Sequence, residues 1–173
     1  MSTPKERNVF VQWLEAHQED RAMLAALRRG LGQPPGTVAN TFRYVVPFIP
    51  NQASRSQESV YYLIASLYAL HPQSVLTGNL GQSFAELVRK DPSSAEAVER
   101  RFTALLGADI EDLDFYLRQA IAFLKSKEIA VNWDQLFRDI QQWDSPTHYV
   151  QRQWAYAFWR RSEEELEKKN KEK

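Results

Sequence analysis

The chain has 173 residues, enough for one domain or two small helical ones sharing an interface, and its 43% hydrophobic and 25% charged content excludes wholesale disorder. With no cysteine, disulfides and thiolate metal sites are ruled out, and a reducing, cytoplasmic setting is the simplest fit. The 22 basic and 22 acidic residues cancel, unlike the profile of a protein that coats nucleic acid.

The first ten residues, Met1 to Phe10, lack the apolar stretch of a signal peptide. Val9, Trp13 and Ala16 mark one face of a first helix over Lys5 to His17. Asp20 caps a second helix carrying Met23, Leu24 and Leu27, which Gly30 and Gly32 stop. After the loop Gln33 to Gly36, Thr37 opens a segment with Val38, Phe42, Val45 and Val46 that Pro47 and Pro50 end. Between Arg21 and Gln57 stand five Arg and no Asp or Glu. A local positive field of that kind survives zero net charge, because salt screens charges more than roughly 8–10 Å apart.

From Ser59 to Ala85 the chain runs 27 residues without Asp, Glu, Lys or Arg, so most of the segment is expected in the core. Its most apolar part, Val60 to Leu70, is 11 residues long. About 20 are needed to span a bilayer, so this reads as a buried helix ended by His71 and Pro72. A Thr77-Gly78-Asn79 turn precedes a helix running to Lys90.

Asp91-Pro92 is the candidate boundary between an N-terminal helical subdomain, 1–91, and a C-terminal part, 92–162. In the second part Ser93 and Glu96 read as a capping box for a helix to Leu106. Asp109 is expected to cap the next, with Leu113, Leu117, Ile121 and Leu124 in one stripe. Asn132 caps a helix with Trp133, Leu136, Phe137 and Ile140, and Ser145-Pro146 reads as the start of a last helix through Trp159. Four helices with short links predict an antiparallel four-helix bundle, and the charge run 163–173 reads as a frayed or disordered tail. The fold class is all-α.

No pattern in the chain looks like an active site, a metal site or a cofactor site. His17, His71 and His148 are scattered; His71 reads as a helix C-terminal residue and His148 as a surface residue. Neither Gly30-Leu31-Gly32 nor Leu80-Gly81 has dinucleotide or P-loop spacing. The acidic run Asp109, Glu111, Asp112 and Asp114 lies at a helix N-terminus, where carboxylates suit the backbone dipole. The Arg28-Arg29, Arg89-Lys90, Arg100-Arg101 and Arg160-Arg161 pairs are more informative. A guanidinium is planar, permanently charged and bidentate, so such pairs grip phosphate without reading sequence; they equally solvate a surface or complement helix ends. Tyr149, Trp154, Tyr156, Phe158 and Trp159 form an aromatic stripe that packs in a core or stacks on bases.

Several motifs in order are similar to the CasB family, the small subunit of the type I-E CRISPR Cascade complex. Leu27-Arg28-Arg29-Gly30-Leu31 is followed by Phe42-Arg43-Tyr44-Val45-Val46-Pro47-Phe48, and then by Asn79-Leu80-Gly81. Glu99-Arg100-Arg101-Phe102, Leu117-Arg118 and Val131-Asn132-Trp133 complete a match over roughly residues 10–160. Gln82 departs from it, standing where a basic residue can occur. The resemblance implies a non-catalytic subunit that binds nucleic acid and stabilises the R-loop and the displaced DNA strand in antiviral defence. Implied partners are the large subunit, the backbone subunits, a second copy of the chain, guide RNA and target DNA; no membrane is implied. It carries Arg28, Arg29, Arg43, Arg100, Arg101 and Arg118 as phosphate contacts, and Arg89 and Lys90 join them on charge alone. The alternative is a helical interaction scaffold whose Arg pairs dock acidic protein partners. A hydrolase would require His17, His71 or His148 to converge with carboxylates.

Overall fold

A computed structural model describes residues 5–160 and 163–171. Among them are ten α-helices: α1 (Val9–Ala16), α2 (Arg21–Arg28), α3 (Ala39–Val45), α4 (Arg55–Leu70), α5 (Leu80–Lys90), α6 (Ala95–Leu106), α7 (Leu113–Ser126), α8 (Trp133–Gln141), α9 (Tyr149–Trp159) and α10 (Glu163–Lys171). Short 3₁₀ turns at Val46–Phe48 and Pro92–Ser94 follow α3 and precede α6. The all-α class holds, with one isolated parallel bridge between Ser74 and Val131.

α4 is the central helix. Its Ser54 hydroxyl accepts the Gln57 N–H, and the Gln57 side chain accepts the Ser54 N–H at 2.8 Å, a complete capping box. Along its second half, residues on every side are buried, among them Ile64, Leu67 and Tyr68. A helix apolar all round needs neighbours all round. α2 and α3 cover one side, α7 and α8 the other. α5 packs most extensively on α9, and α6 on α7. Packing therefore crosses the Asp91-Pro92 break, and one hydrophobic core takes in helices on both sides of it.

Several starts differ from the sequence expectation. α1 begins at Val9 rather than Lys5, because the Asn8 side chain accepts the N–H groups of Phe10 and Val11. The Asn8 N–H itself donates to the buried Asp134 carboxylate at 2.6 Å, tying the N-terminus to α8. The expected Ser93–Glu96 capping box is absent. Ser93 instead donates to the Asp91 carboxylate at 2.6 Å and Ser94 to the Asp91 carbonyl at 2.7 Å, so both hydroxyls serve the 3₁₀ turn. The Ser93 hydroxyl and then Lys127 hold the Asp91 carboxyl below the usual range. Asp109 does not cap α7: its carbonyl takes the Asp112 N–H in a preceding turn, and Asp112 is the cap residue. Ser145-Pro146 does not open α9 either. The Ser145 carbonyl accepts the His148 N–H at 2.9 Å, and α9 begins only after His148, which sits at φ 48°. α10, within the charge run, closes on Lys168, Lys169 and Lys171, which complement its dipole.

Asn79 and Gln82 form a second capping box at the start of α5. Gly81, inside its first turn, lies directly on the α9 backbone: a Cβ there would stand 2.2 Å from the Trp154 carbonyl oxygen. Below that crossing the Trp154 indole N–H donates to the Asp139 carboxylate at 2.7 Å, and Gln135 donates to the same group at 2.8 Å. Burial pushes the Asp139 carboxyl above its ordinary value, against the pull of those two donors.

Candidate nucleic-acid interface

The cationic side chains singled out in the sequence fall on three parts of the surface. α2 ends in Arg28 and Arg29, both exposed; Arg28 Nε donates to the Leu24 carbonyl at 3.2 Å, which orients it along the helix C-terminus. The loop after them lies on Arg118 of α7. A Cβ at Gly32, where φ is 74°, would come within 3.0 Å of the Arg118 guanidinium, so glycine supplies both the turn and the room. Arg118 is half-buried, paired with Asp114 at 3.6 Å and placed 5.9 Å from the centre of the Phe115 ring. Burial raises the Asp114 pKa, and Arg118 offsets part of that rise. Arg43, in the last turn of α3, is exposed and sits over Tyr44 at 5.1 Å; α3 packs on α2, bringing Thr41 close to Gly30. Arg28, Arg29, Arg43 and Arg118 thus belong to neighbouring elements.

On α6 the adjacent pair splits, since consecutive helical residues point about 100° apart. Arg101 turns onto the Phe123 ring of α7 at 4.5 Å, while Arg100 faces open surface beside Glu96 and Glu99. At the end of α5, Lys90 donates to the Lys127 carbonyl at 2.8 Å and braces the end of α7, whereas Arg89 is exposed. The ion pairs among the described residues belong to Arg7, Arg118, Lys127 and Arg138. The exposed guanidiniums of Arg28, Arg29, Arg43, Arg89 and Arg100 therefore lack a carboxylate partner among those residues. Arg161, the second member of a fourth pair, lies outside the described residues.

The three histidines do not meet. His17 bonds the Trp13 carbonyl through Nδ1 at 2.8 Å, and buried His71, which caps the C-terminus of α4, bonds the Ile129 carbonyl through Nε2 at 2.7 Å. Burial lowers the His71 pKa, which favours the neutral ring with its proton on Nε2. His148 is exposed at the start of α9. No group of three His, Asp or Glu side chains among the described residues is arranged to hold a metal ion, and none of their helices is long and apolar enough to cross a membrane.

A groove of about 690 Å³ lies between the Gly32–Pro35 loop, the start of α4, the Ile110–Asp114 segment and the end of α8. Val60, Leu63, Ile110 and Ile140 line it, with Glu111, Asp114 and Asp144 at the same walls. That combination disfavours a polyanion and suits a protein segment. Sequence reasoning did not find it, because its walls come from four distant stretches of chain.

The aromatic stripe of α9 also divides. Trp154 is buried and Phe158 packs on Phe102 at 4.6 Å, but Tyr156 and Trp159 are 59% and 42% exposed. Arg152 and Arg160, which the sequence analysis did not select as contacts, flank those two rings. The signal was the Arg152–Tyr156–Arg160 spacing of four.

The family model of CRISPR-associated protein Cse2 matches residues 23–159. A CRISPR-associated protein Cse2 of Thermus thermophilus is 34% identical over 171 residues, covering 96% of each chain. The crystal structure of CasB from Thermus thermophilus superposes with a TM-score of 0.74 at 35% identity, covering 87% of this chain and 95% of that one. A chain from a CRISPR RNA-guided surveillance complex shares the fold, with a TM-score of 0.77 at 24% identity over 93% and 95% of the two chains.

Proposed function

The chain belongs to the CRISPR-associated Cse2 family, and on that premise we propose that it is a non-catalytic small subunit of a type I-E Cascade complex in the cytoplasm. In this role it binds nucleic acid without reading sequence and stabilises the R-loop and the displaced DNA strand. Its partners are the large and backbone subunits, a second copy of itself, guide RNA and target DNA. The observation that carries the reading is the set of exposed arginines, Arg28, Arg29, Arg43, Arg89 and Arg100, on a fold shared with a chain from an RNA-guided surveillance complex. Guanidinium N–H donors facing water, four of the five sets at helix ends, are suited to phosphate oxygens and carry no base specificity. Base pairing then reads the target while the protein holds the backbone.

The acid-walled groove favours a second role alongside the first, as a docking site for protein within the same assembly. The two roles separate by salt. The test is binding of the purified chain to single-stranded DNA, duplex DNA and RNA across a salt series. Phosphate contact gives a log K against log salt slope of about −0.7 to −0.9 per contact. Binding that ignores salt, or no binding at low salt, would defeat the strand-holding role and leave the protein-docking one.

A further inference from the structure

The exposed face of α9 is not accounted for by the arginines discussed above. Val150 and Trp154 turn the opposite face of this helix into the core, so Arg152, Tyr156, Trp159 and Arg160 share the outer one. Tyr156 and Trp159 are both exposed large apolar side chains. Each ring has a neighbour. Arg160 Cζ lies 5.4 Å from the Tyr156 ring centre, and Trp159 rests against Phe158 at 4.8 Å and Phe102 at 5.6 Å. Arg152 stands one turn before Tyr156, about 6 Å along the axis. The face therefore alternates cation, ring, ring and cation, on a helix anchored to the core from behind.

We propose that this face is a base-stacking platform for single-stranded nucleic acid, with bases on Tyr156 and Trp159 and phosphates on Arg152 and Arg160. The proposal rests on the strand-binding function above and deepens it. Three observations favour nucleic acid over a protein segment. Exposed rings accept any base by its π-face, whereas the groove beside α8 is the place whose carboxylates suit protein. Cations at both ends of the ring pair match a ligand with charge on its backbone and apolar faces between. Packing is the third: Trp159 rests on Phe102 of α6, the helix that also carries Arg100.

The experiment compares the full chain binding fluorescent oligo-dT and an abasic strand of equal length, for the wild type and for Tyr156→Leu with Trp159→Leu. Leucine keeps an apolar cover over Phe102 while removing the stacking rings, and the melting temperature verifies that the variant is folded. The expected result is a wild-type preference for dT over the abasic strand of about 5- to 100-fold. The variant should lose that preference and retain its affinity for the abasic strand within about twofold, a shift of less than about 0.4 kcal/mol. Equal wild-type affinity for both strands would overturn the stacking platform and leave phosphate holding intact. A preference that survives in the variant would overturn the assignment of these rings. Absence of binding to either strand at low salt would defeat the strand-holding function and the platform with it. Unchanged strand binding with altered self-association would make the rings a protein contact, which also overturns the proposal.

Discussion

Gly81→Ala tests the central crossing of the fold. In an isolated helix this substitution stabilises by up to about 1 kcal/mol, because alanine has less backbone freedom to lose. Here the new methyl would stand 2.2 Å from the Trp154 carbonyl oxygen, 2.9 Å from its carbon and 3.0 Å from the Ala157 Cβ. Ordinary contact begins at 3.4 Å, so the shortfall is about 1.2 Å, and it is against backbone rather than a side chain that swings away. α9 cannot yield locally. The Trp154 side chain is buried against Trp143 at 5.1 Å and bonded to Asp139 at 2.7 Å. The remaining response is for α5 and α9 to separate by about 1 Å, and a gap of that size forfeits roughly a quarter to a half of the dispersion energy along a contact. Overpacking of this kind costs about 1–3 kcal/mol, and a clash this close belongs at the upper end, so after the propensity gain a net loss of about 2 kcal/mol is expected.

The assay is urea unfolding followed by helical circular dichroism, with Gly107→Ala as its partner. At Gly107 the nearest atoms to a Cβ are carbonyls at 3.7 and 3.8 Å, so that variant should lie within about 0.5 kcal/mol of wild type. At a denaturant slope of about 2 kcal/mol/M, Gly81→Ala should lower the midpoint by roughly 1 M and Gly107→Ala hardly at all. A Gly81→Ala protein as stable as the wild type would refute the close approach of α5 to α9.

Four further substitutions, two of them combined, probe the core and the interface. Asp139→Asn reports on the buried carboxylate. Because burial raises its pKa, the native state favours the protonated form, and the stability this group contributes is present at acid pH and lost as pH rises through the folded-state value. The Asn variant should therefore gain stability relative to wild type between pH 3 and pH 7; a constant or shrinking difference in chemical denaturation would contradict it. Trp133→Ala removes a fully buried ring that stacks edge-on with Tyr68 at 5.5 Å and donates to the Gln73 carbonyl at 3.3 Å, at an expected cost of about 3–5 kcal/mol by calorimetry. Arg100→Ala with Arg101→Ala should leave helicity unchanged and reduce the salt slope of DNA binding by about 0.7–0.9 per lost contact. Of the two, only Arg101→Ala should lower stability, by about 0.5–1 kcal/mol, because it alone covers Phe123.

The helices themselves were legible where local chemistry decides them. Asp20 and Asn132 cap as expected, and the Leu113, Leu117, Ile121 and Leu124 stripe is buried as its spacing requires. The misses have a common cause, which is that a hydroxyl or carboxylate near a helix start has several backbone groups to choose from. At Ser93 the competing acceptor on Asp91 won, and at Ser145 a reverse turn did. Asn79-Leu80-Gly81 shows both sides of the limit. The turn before α5 was read from Thr77-Gly78-Asn79, but the Asn79–Gln82 capping box was not, and the need for glycine at 81 comes from α9, far away in sequence. Asp134 and Asp139 were equally hidden. Carboxylates on a helix read as solvent-facing, yet the first is buried by Asn8 and Arg138 and the second by Trp154.

The same limit governs the interface, and it explains how a chain of zero net charge can present a surface for a polyanion. Charge is separated in space more than along the sequence. Glu15, Asp91, Asp114 and Asp134 are engaged by Arg7, Lys127, Arg118 and Arg138. Asp139 is buried on indole and amide donors, and Glu111 and Asp144 line the groove. Part of the acidic half of the composition is thereby internal, paired or gathered on one wall. Arg28, Arg43 and Arg89 stand instead in the last turns of α2, α3 and α5, where the helix dipole favours a cation by about 0.3–1 kcal/mol. The interaction is short-ranged and uses at most one or two of the five guanidinium donors; Arg28 commits one, to Leu24. The helix end thus favours each arginine without satisfying it, and the remaining donors are free for a phosphate.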